Sequence, residues 1–128
     1  MPLVRISVDG GWSRERLGKL SDAIHRALVD AAKAPAEGKF QIVTEHAAGG
    51  IVHPPAFQGI PKTDGIVIVQ ITMNAGRAPE VKRGLYAALA ANCLEAAGVE
   101  PDDLVVSLVE VPKENWSWGR GVMTYAPE

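Results

Sequence analysis

The 128-residue sequence contains one cysteine, Cys93, so no disulfide can form within the chain and nothing in it suggests secretion. It has 13 Lys and Arg against 15 Asp and Glu, and so lacks the basic excess typical of nucleic-acid-binding proteins. No apolar run approaches the roughly 20 residues of a membrane span, and no signal-peptide pattern is present. These absences predict a cytoplasmic protein with neither a nucleic acid nor a membrane as partner.

What is present is a chain that is 47% hydrophobic, enough to bury the core of one domain over residues 1–128. Alternating and 3.6-residue periodicities predict the same order of elements twice. The predicted elements are a strand over 3–8, a helix over 13–34, a strand over 40–44, a strand over 66–71, a helix over 79–98 and a strand over 104–111. Ser13 is the expected N-cap of the first helix, Pro79 lies in the first turn of the second, and Gly98 ends it.

The two strand–helix–strand units define an internal repeat, about 2–46 and 65–111, offset by about 63 residues. Two βαβ units sharing one sheet predict an α/β (α+β) fold, with a four-stranded mixed sheet and two helices on one face. The nearly continuous apolar run of 66–71 is typical of a strand buried on both faces. Because the helices cover only one face, we expect an oligomer to cover the other.

Residues 47–64 form a long connection with three prolines and little periodicity. Such long connections within a compact domain are often functional or make subunit contacts. A short strand is expected around 51–52.

Pro2 is the first candidate for chemistry. If Met1 is removed, the chain begins with a free secondary amine held at the start of a strand. An α-amino group titrates near pH 8, and apolar surroundings or a neighbouring cation lower its pKa until it can act as a base. Arg5, on the same strand, is a candidate for that cation.

Four segments, 1–3, 40–46, 70–77 and 108–119, together with the repeated βαβ unit, resemble the tautomerase superfamily in its fused two-unit form. Within it, the chain resembles malonate semialdehyde decarboxylase and related tautomerase-like proteins. The resemblance implies a tautomerase or macrophage migration inhibitory factor-like fold, a homotrimer without cofactor, and an active site built around the N-terminal proline.

The resemblance also implies roles for individual residues. Arg77 matches an arginine that binds the substrate carboxylate, for which a guanidinium offers a bidentate, permanently charged fork. We expect it beside free backbone donors at the start of a helix. Asn74 is suited to hydrogen-bond a carbonyl or enolate oxygen. Trp116 and Trp118 match aromatic positions that wall the site; an anchoring role for the C-terminal tail is the alternative, and both roles are compatible.

Two differences weigh against decarboxylation and against hydration of haloacrylates. The decarboxylase has a second arginine just before the one matched by Arg77, whereas residues 74–76 here contain no cation. It also has an aspartate before the second strand, where this chain has Gly38, with Glu37 one residue earlier as the nearest carboxylate. Arg120 is a further candidate cation for an acidic substrate.

The sequence therefore predicts an isomerase that uses neutral Pro2 as general base on a small 2-keto or enol carboxylic acid. Two alternatives remain: a decarboxylase of a 3-oxo acid with cationic Pro2, and a non-catalytic, oligomeric small-acid-binding protein. The three histidines lack metal-ligand spacing, so we expect no metal site. Cys93 is expected in the core.

Overall fold

The computed structural model describes residues 2–125; Met1, on whose removal the role of Pro2 depends, lies outside that range. The elements are β1 (Leu3–Asp9), α1 (Arg14–Ala32), β2 (Phe40–His46), β3 (Ala56–Phe57), β4 (Ile60–Pro61), β5 (Val67–Asn74), α2 (Pro79–Ala97) and β6 (Leu104–Val111). One-turn 3₁₀ helices occupy Pro101–Asp103 and Lys113–Asn115.

The four long strands form one mixed sheet in the order β2-β1-β5-β6. β1 pairs with β2 in parallel, β5 pairs with β6 in parallel, and the two central strands are antiparallel. The antiparallel centre places the start of β1 beside the end of β5, with Leu3 opposite Thr72. This topology confirms the predicted sheet.

Local capping chemistry accounts for the helix boundaries. The Ser13 hydroxyl accepts a hydrogen bond from the Arg16 amide at 3.1 Å, which satisfies one of the free donors at the start of α1. Pro79 is the first residue of α2, and Gly98 ends it at a left-handed φ of 68°. Lys33 ends α1 in the same conformation, so this helix stops at Ala32.

The core lies between the helices and one face of the sheet. Alternate residues of the two central strands are buried in one cluster with residues of both helices. Its most deeply buried side chains include Val4, Ile6, Val8, Val67, Val69, Ile71, Ile24, Leu28, Leu85 and Leu89. Since only one set of alternating strand residues enters this cluster, both helices lie on the same face, as predicted.

The other face of the sheet is open in the single chain. β5 was expected to be buried on both faces, but Gln70 is exposed and Ile68 and Thr72 are only half-buried. The expectation is wrong for one chain because, within residues 2–125, no element covers that face. Phe40, on the edge strand β2, is 46% exposed.

Residues 47–64 contain a small hairpin rather than the short strand expected at 51–52. β3 and β4 pair with Phe57 opposite Ile60, and the two residues between them, Gln58 and Gly59, both have positive φ, at 53° and 77°. Two left-handed residues are what a tight hairpin turn requires. The buried Asp103 anchors the base of this hairpin.

Across residues 2–125, neither helix has the length and apolar character needed to cross a membrane.

Candidate active site

One end of the sheet collects most of the residues singled out in the sequence. Pro2 is buried and immediately precedes β1. β5 runs antiparallel to β1 and ends there at Asn74, while β2 runs parallel to β1 and begins there at Phe40, opposite Leu3. Pro2 is thus flanked by the end of one strand and the start of another.

Asn74 and Trp116 meet at this end. The indole Nε1 of Trp116 donates a hydrogen bond to Asn74 Oδ1 at 2.7 Å. β6 ends at Val111, opposite Asn74, and the one-turn helix that follows carries the chain back to the end of β5. Trp116 is only 9% exposed.

Three aromatic rings stand in a row beside Asn74. The rings of Trp116 and Trp118 are stacked, with centroids 4.7 Å apart and planes within 13°. Trp118 also contacts Phe40, again at 4.7 Å between centroids and tilted by 44°. The row therefore extends from the end of β5 to the start of β2 and forms an apolar wall at the end of the sheet where Pro2 lies.

Phe40 was predicted only as a strand residue. Its contact with Trp118 follows from its position as the first residue of β2, opposite Leu3. Hydrophobic periodicity shows that a residue belongs to a strand, whereas strand order and register decide what it lies next to. The sequence therefore carried no direct signal for this third ring.

Arg77 lies in the connection between β5 and α2, after Gly76 at a φ of 117°. Its Nη1 donates to the backbone carbonyl of Asn74 at 3.1 Å, and Nη2 and Nε donate to the carbonyl of Ala32 at 3.2 and 3.4 Å. Arg77 lies just before the start of α2, and its guanidinium donates to one carbonyl at the end of α1 and one at the end of β5. A guanidinium has five N–H groups, so one on each terminal nitrogen remains for an anion.

A neighbouring ion pair occupies the rim near Arg77. Lys82 Nζ lies 2.7 Å from Glu110 Oε1. The pKa of the Glu110 carboxyl is lowered, chiefly by this hydrogen bond, with smaller contributions from the Lys82 charge, the Gly76 amide and the Arg77 charge. Lys82 is therefore the main partner of the Glu110 charge, and Arg77 is a weaker one.

Within residues 2–125, the remaining candidate residues make none of the contacts described for Asn74, Arg77 and the aromatic rings. Glu37 is exposed in the turn before β2, and within the described chain it makes no hydrogen bond or ion pair. Arg5 is exposed on the open face, opposite Ile42 and Gln70. Arg120 is exposed at a left-handed φ of 60° in the loop after Trp118. Cys93 is buried in the core, and burial raises the pKa of its thiol to about 11.

A cleft elsewhere has a different character. It measures about 560 Å³ between α1 and α2 and is lined by Lys19, Asp22, Ala23, Arg26, Asn92, Glu95 and Ala96. Its lining includes none of the residues grouped around Pro2. The chemistry suggested by the sequence is therefore concentrated at the end of the sheet.

The repeated βαβ unit of this chain matches two models of tautomerases. Residues 38–119 match a family model described as "Tautomerase enzyme", and residues 2–55 match a second model with the same description. The chain belongs to the tautomerase superfamily.

Individual relatives agree with this assignment. The "Probable tautomerase YrdN" of Bacillus subtilis (strain 168) is 32% identical over 121 residues, which cover 94% of this chain and 93% of the relative. Among solved structures, FG41 malonate semialdehyde decarboxylase inhibited by 3-bromopropiolate is 32% identical, with a TM-score of 0.89 over 96% of this chain and 93% of that one. The Q0 fused 4-OT, a symmetric trimer, shares the fold at 24% identity, with a TM-score of 0.78 over 94% of each chain.

Proposed function

We propose that this protein is an isomerase that tautomerises a small 2-keto or enol carboxylic acid, with Pro2 as its general base after removal of Met1. The observation that carries the proposal is the placement of Asn74, Arg77 and the aromatic row at the end of the sheet where β1 begins. A base, an anion-binding cation and a neutral hydrogen-bond donor are the three groups that this reaction requires.

The proposed reaction moves one proton without a net change in composition. Starting from the enol acid, the neutral Pro2 nitrogen accepts the proton of the enol hydroxyl and leaves an enolate, whose oxygen electrons form the carbonyl only as C3 is protonated. The carbon–carbon double bond then takes the proton back at C3, which regenerates the neutral amine and gives the 2-keto acid. General acid–base transfer of this kind contributes about 10²–10⁴-fold.

Arg77 and Asn74 would hold the two polar ends of such a substrate. The two uncommitted N–H groups of Arg77 match the two oxygens of a carboxylate. The amide nitrogen of Asn74 is a donor for the adjacent carbonyl or enolate oxygen, where negative charge develops during transfer. Glu37 is proposed as a further substrate contact from the turn before β2.

The aromatic row supports base chemistry rather than acid chemistry. Trp116 and Trp118, with Phe40 added to them, would exclude water from the reacting atoms. Apolar surroundings disfavour the charged form of an amine, and therefore lower the pKa of Pro2 towards the range where it can accept a proton.

We also propose that the active form is a homotrimer. The open face carries apolar side chains such as Phe40 and Ile42, and the connection 47–64 exposes Val52 and, in its hairpin, Phe57. The Q0 fused 4-OT, which shares the fold, is a symmetric trimer. In this proposal the chain is one domain that contains the repeat 2–46 and 65–111, and it acts in the cytoplasm.

Decarboxylation of a 3-oxo acid is the second candidate, because FG41 malonate semialdehyde decarboxylase is 32% identical to this chain. In that reaction the bond between C2 and the carboxylate breaks, and its electrons pass to the 3-oxo group. Pro2 either polarises that group as a cation or converts it to an iminium. Carbon dioxide leaves, and C2 then takes up a proton. Ala75 offers no charge for a second carboxylate contact beside Arg77, which favours tautomerisation.

The deciding experiment is a ¹⁵N NMR titration of Pro2, on protein shown by mass spectrometry to lack Met1. A pKa near or below 7, with ketonisation of phenylenolpyruvate, supports the proposal. A pKa well above 8, with carbon dioxide release from malonate semialdehyde, supports the decarboxylase instead. A high pKa with neither turnover would leave a non-catalytic, oligomeric small-acid-binding protein.

A further inference from the structure

The hydrogen bond between Trp116 and Asn74 determines the orientation of the Asn74 amide. An indole nitrogen can only donate, so its partner 2.7 Å away must be the amide oxygen. In many asparagines the oxygen and nitrogen are interchangeable in the hydrogen-bond network, but here one assignment alone satisfies the indole. The amide nitrogen of Asn74 is thereby turned away from the ring.

Both partners are themselves held by the backbone around them. Asn74 closes β5, opposite Val111, and its carbonyl accepts from Arg77 at 3.1 Å. The Trp116 amide donates to the Lys113 carbonyl at 3.3 Å, and its carbonyl accepts from the Thr124 amide at 3.2 Å. A rotation of the Asn74 amide would therefore cost the indole hydrogen bond without a compensating movement of either backbone.

We infer that Trp116 is a positioning residue, which acts through its indole N–H to keep the amide nitrogen of Asn74 available as a donor. This inference rests on the proposed function and adds a restriction on the substrate. The group opposite Asn74 must accept a hydrogen bond, as the oxygen of a 2-oxo or 2-enolate acid does and a 2-amino or unsubstituted acid does not. A donor fixed in advance stabilises developing charge without reorganisation during the reaction.

Comparing Trp116 with Trp118 distinguishes the positioning of Asn74 from the packing of the ring. Its ring is stacked on that of Trp116 at 4.7 Å, yet its Nε1 is buried and has no partner within the described chain. The two indoles therefore share a similar apolar environment, and only one of them holds Asn74. Replacing each with phenylalanine removes ring area from both and a defined hydrogen bond from one.

A double-mutant cycle tests the inference. With phenylenolpyruvate as substrate, Asn74→Ala is expected to lower kcat by about 10²–10³-fold, and Trp116→Phe by about fivefold, the equivalent of one hydrogen bond. If Trp116 acts through Asn74, Trp116→Phe lowers kcat much less in the Asn74→Ala background than in the wild type, because only the loss of ring area remains. Trp118→Phe should instead lower kcat by the same factor in both backgrounds. Trp12 follows the far end of β1, where its ring contacts Arg16, and Trp12→Phe should leave kcat within twofold.

A second readout does not depend on turnover. In ¹H–¹⁵N spectra the chemical shift of the Trp116 indole N–H should change in Asn74→Ala. In Asn74→Asp it should stay close to the wild-type value, because the aspartate keeps an acceptor for the indole. Asn74→Asp should still lose activity, because it lacks the amide donor. An unshifted indole in Asn74→Ala, or a Trp116→Phe penalty that is equal in both backgrounds, would overturn the inference. Turnover that is absent, or independent of Pro2, would instead remove the proposed function while leaving the indole shift in place.

Discussion

Arg77 donates to the backbone carbonyl of Ala32, the last residue of α1, through two of its nitrogens at 3.2 and 3.4 Å. The other helix ends on a similar contact, in which Arg16 Nε donates to the carbonyl of Ala97 at 2.8 Å. The last carbonyls of a helix have no partner within it and form the negative end of its dipole. Each arginine therefore joins the end of one helix to the start of the other, but only Arg77 also contacts Asn74.

Substituting the two arginines should separate their structural and functional contributions. We expect Arg77→Ala and Arg16→Ala each to lower the free energy of unfolding by about 1–3 kcal/mol, measured by urea denaturation. Arg77→Ala removes the bonds to Ala32 and Asn74, and Arg16→Ala removes the bond to Ala97 and a contact with the Trp12 ring at 3.6 Å. Only Arg77→Ala should also raise KM for phenylenolpyruvate, by about 10–100-fold, since a charged hydrogen bond to the carboxylate is lost. Similar KM values for the two variants would show that Arg77 has a structural role alone.

Pro2→Ala should lower kcat by about 10²–10⁴-fold, because a primary amine in the same place is a poorly matched base. Enol absorbance follows the ketonisation of phenylenolpyruvate directly, and alanine at position 2 still permits removal of Met1. Pro54→Ala, an exposed proline in the connection between β2 and β3, is the matched control and should keep kcat within twofold. Unchanged turnover in Pro2→Ala would exclude Pro2 as the base.

Asp103 should be essential for the order of the hairpin. It is buried, and its two carboxylate oxygens accept from the amide and the hydroxyl of Thr63 at 2.8 and 2.5 Å. Asp103→Ala leaves both donors without a partner, and we expect a loss of about 1–3 kcal/mol together with faster hydrogen exchange over residues 56–65.

Asp102→Ala is the matched control for that substitution, because Lys62 bonds the backbone carbonyl of Asp102 and not its side chain. It should change the free energy of unfolding by less than about 0.5 kcal/mol. Equal hydrogen exchange in the two variants would mean that the hairpin is ordered by other contacts.

The Lys82–Glu110 pair should make stability depend on acid pH. The pKa of Glu110 is lowered in the folded chain by its hydrogen bond to Lys82, so the pair stabilises the fold above the unfolded-state pKa of about 4.3. That contribution is lost as pH falls through the lower folded-state pKa. The stability difference between wild type and Glu110→Gln should therefore be present at neutral pH and shrink as pH falls below about 4.3 and through the lowered folded-state pKa of Glu110.

Glu114→Gln serves as the control for charge, because Glu114 makes no ion pair within the described range. Its stability difference from wild type should not follow the same pH dependence. A difference for Glu110→Gln that is constant from pH 7 to pH 3 would contradict the assignment of the lowered pKa to the ion pair.

Local chemistry explains why much of the fold was predictable. Ser13, Pro79 and Gly98 act within one helical turn of themselves, so their roles follow from the residues next to them. The two helices each have 19 residues and begin 65 positions apart (79 minus 14), against the offset of about 63 expected from the sequence. Strand β5 extends to Asn74, three residues beyond the predicted strand over 66–71, because Asn74 is still paired with Val111.

Long-range contacts explain why the details of the candidate site were not predictable. Pro2, Arg77 and Trp116 could be named from the sequence, but the bond from Trp116 to Asn74 spans 42 residues. The contact between Phe40 and Trp118 was not predicted for the same reason, because it depends on strand register and on the path of the chain after β6. Patterns of residue type carry no information on which of several surfaces a distant side chain will reach.

The sequence alone determined the order of the four long strands and two helices, the helix-boundary roles of Ser13, Pro79 and Gly98, the repeated βαβ unit and the residue types available for proton transfer and anion binding. Each of these depends on interactions within a few residues or on periodic hydrophobicity. Only the tertiary structure decided that the amide of Asn74 presents its nitrogen and that Arg77 is shared with the end of α1. Those outcomes depend on which backbone and side-chain groups the antiparallel central pair brings together, and hydrogen bonds form only between groups that the fold has already made neighbours.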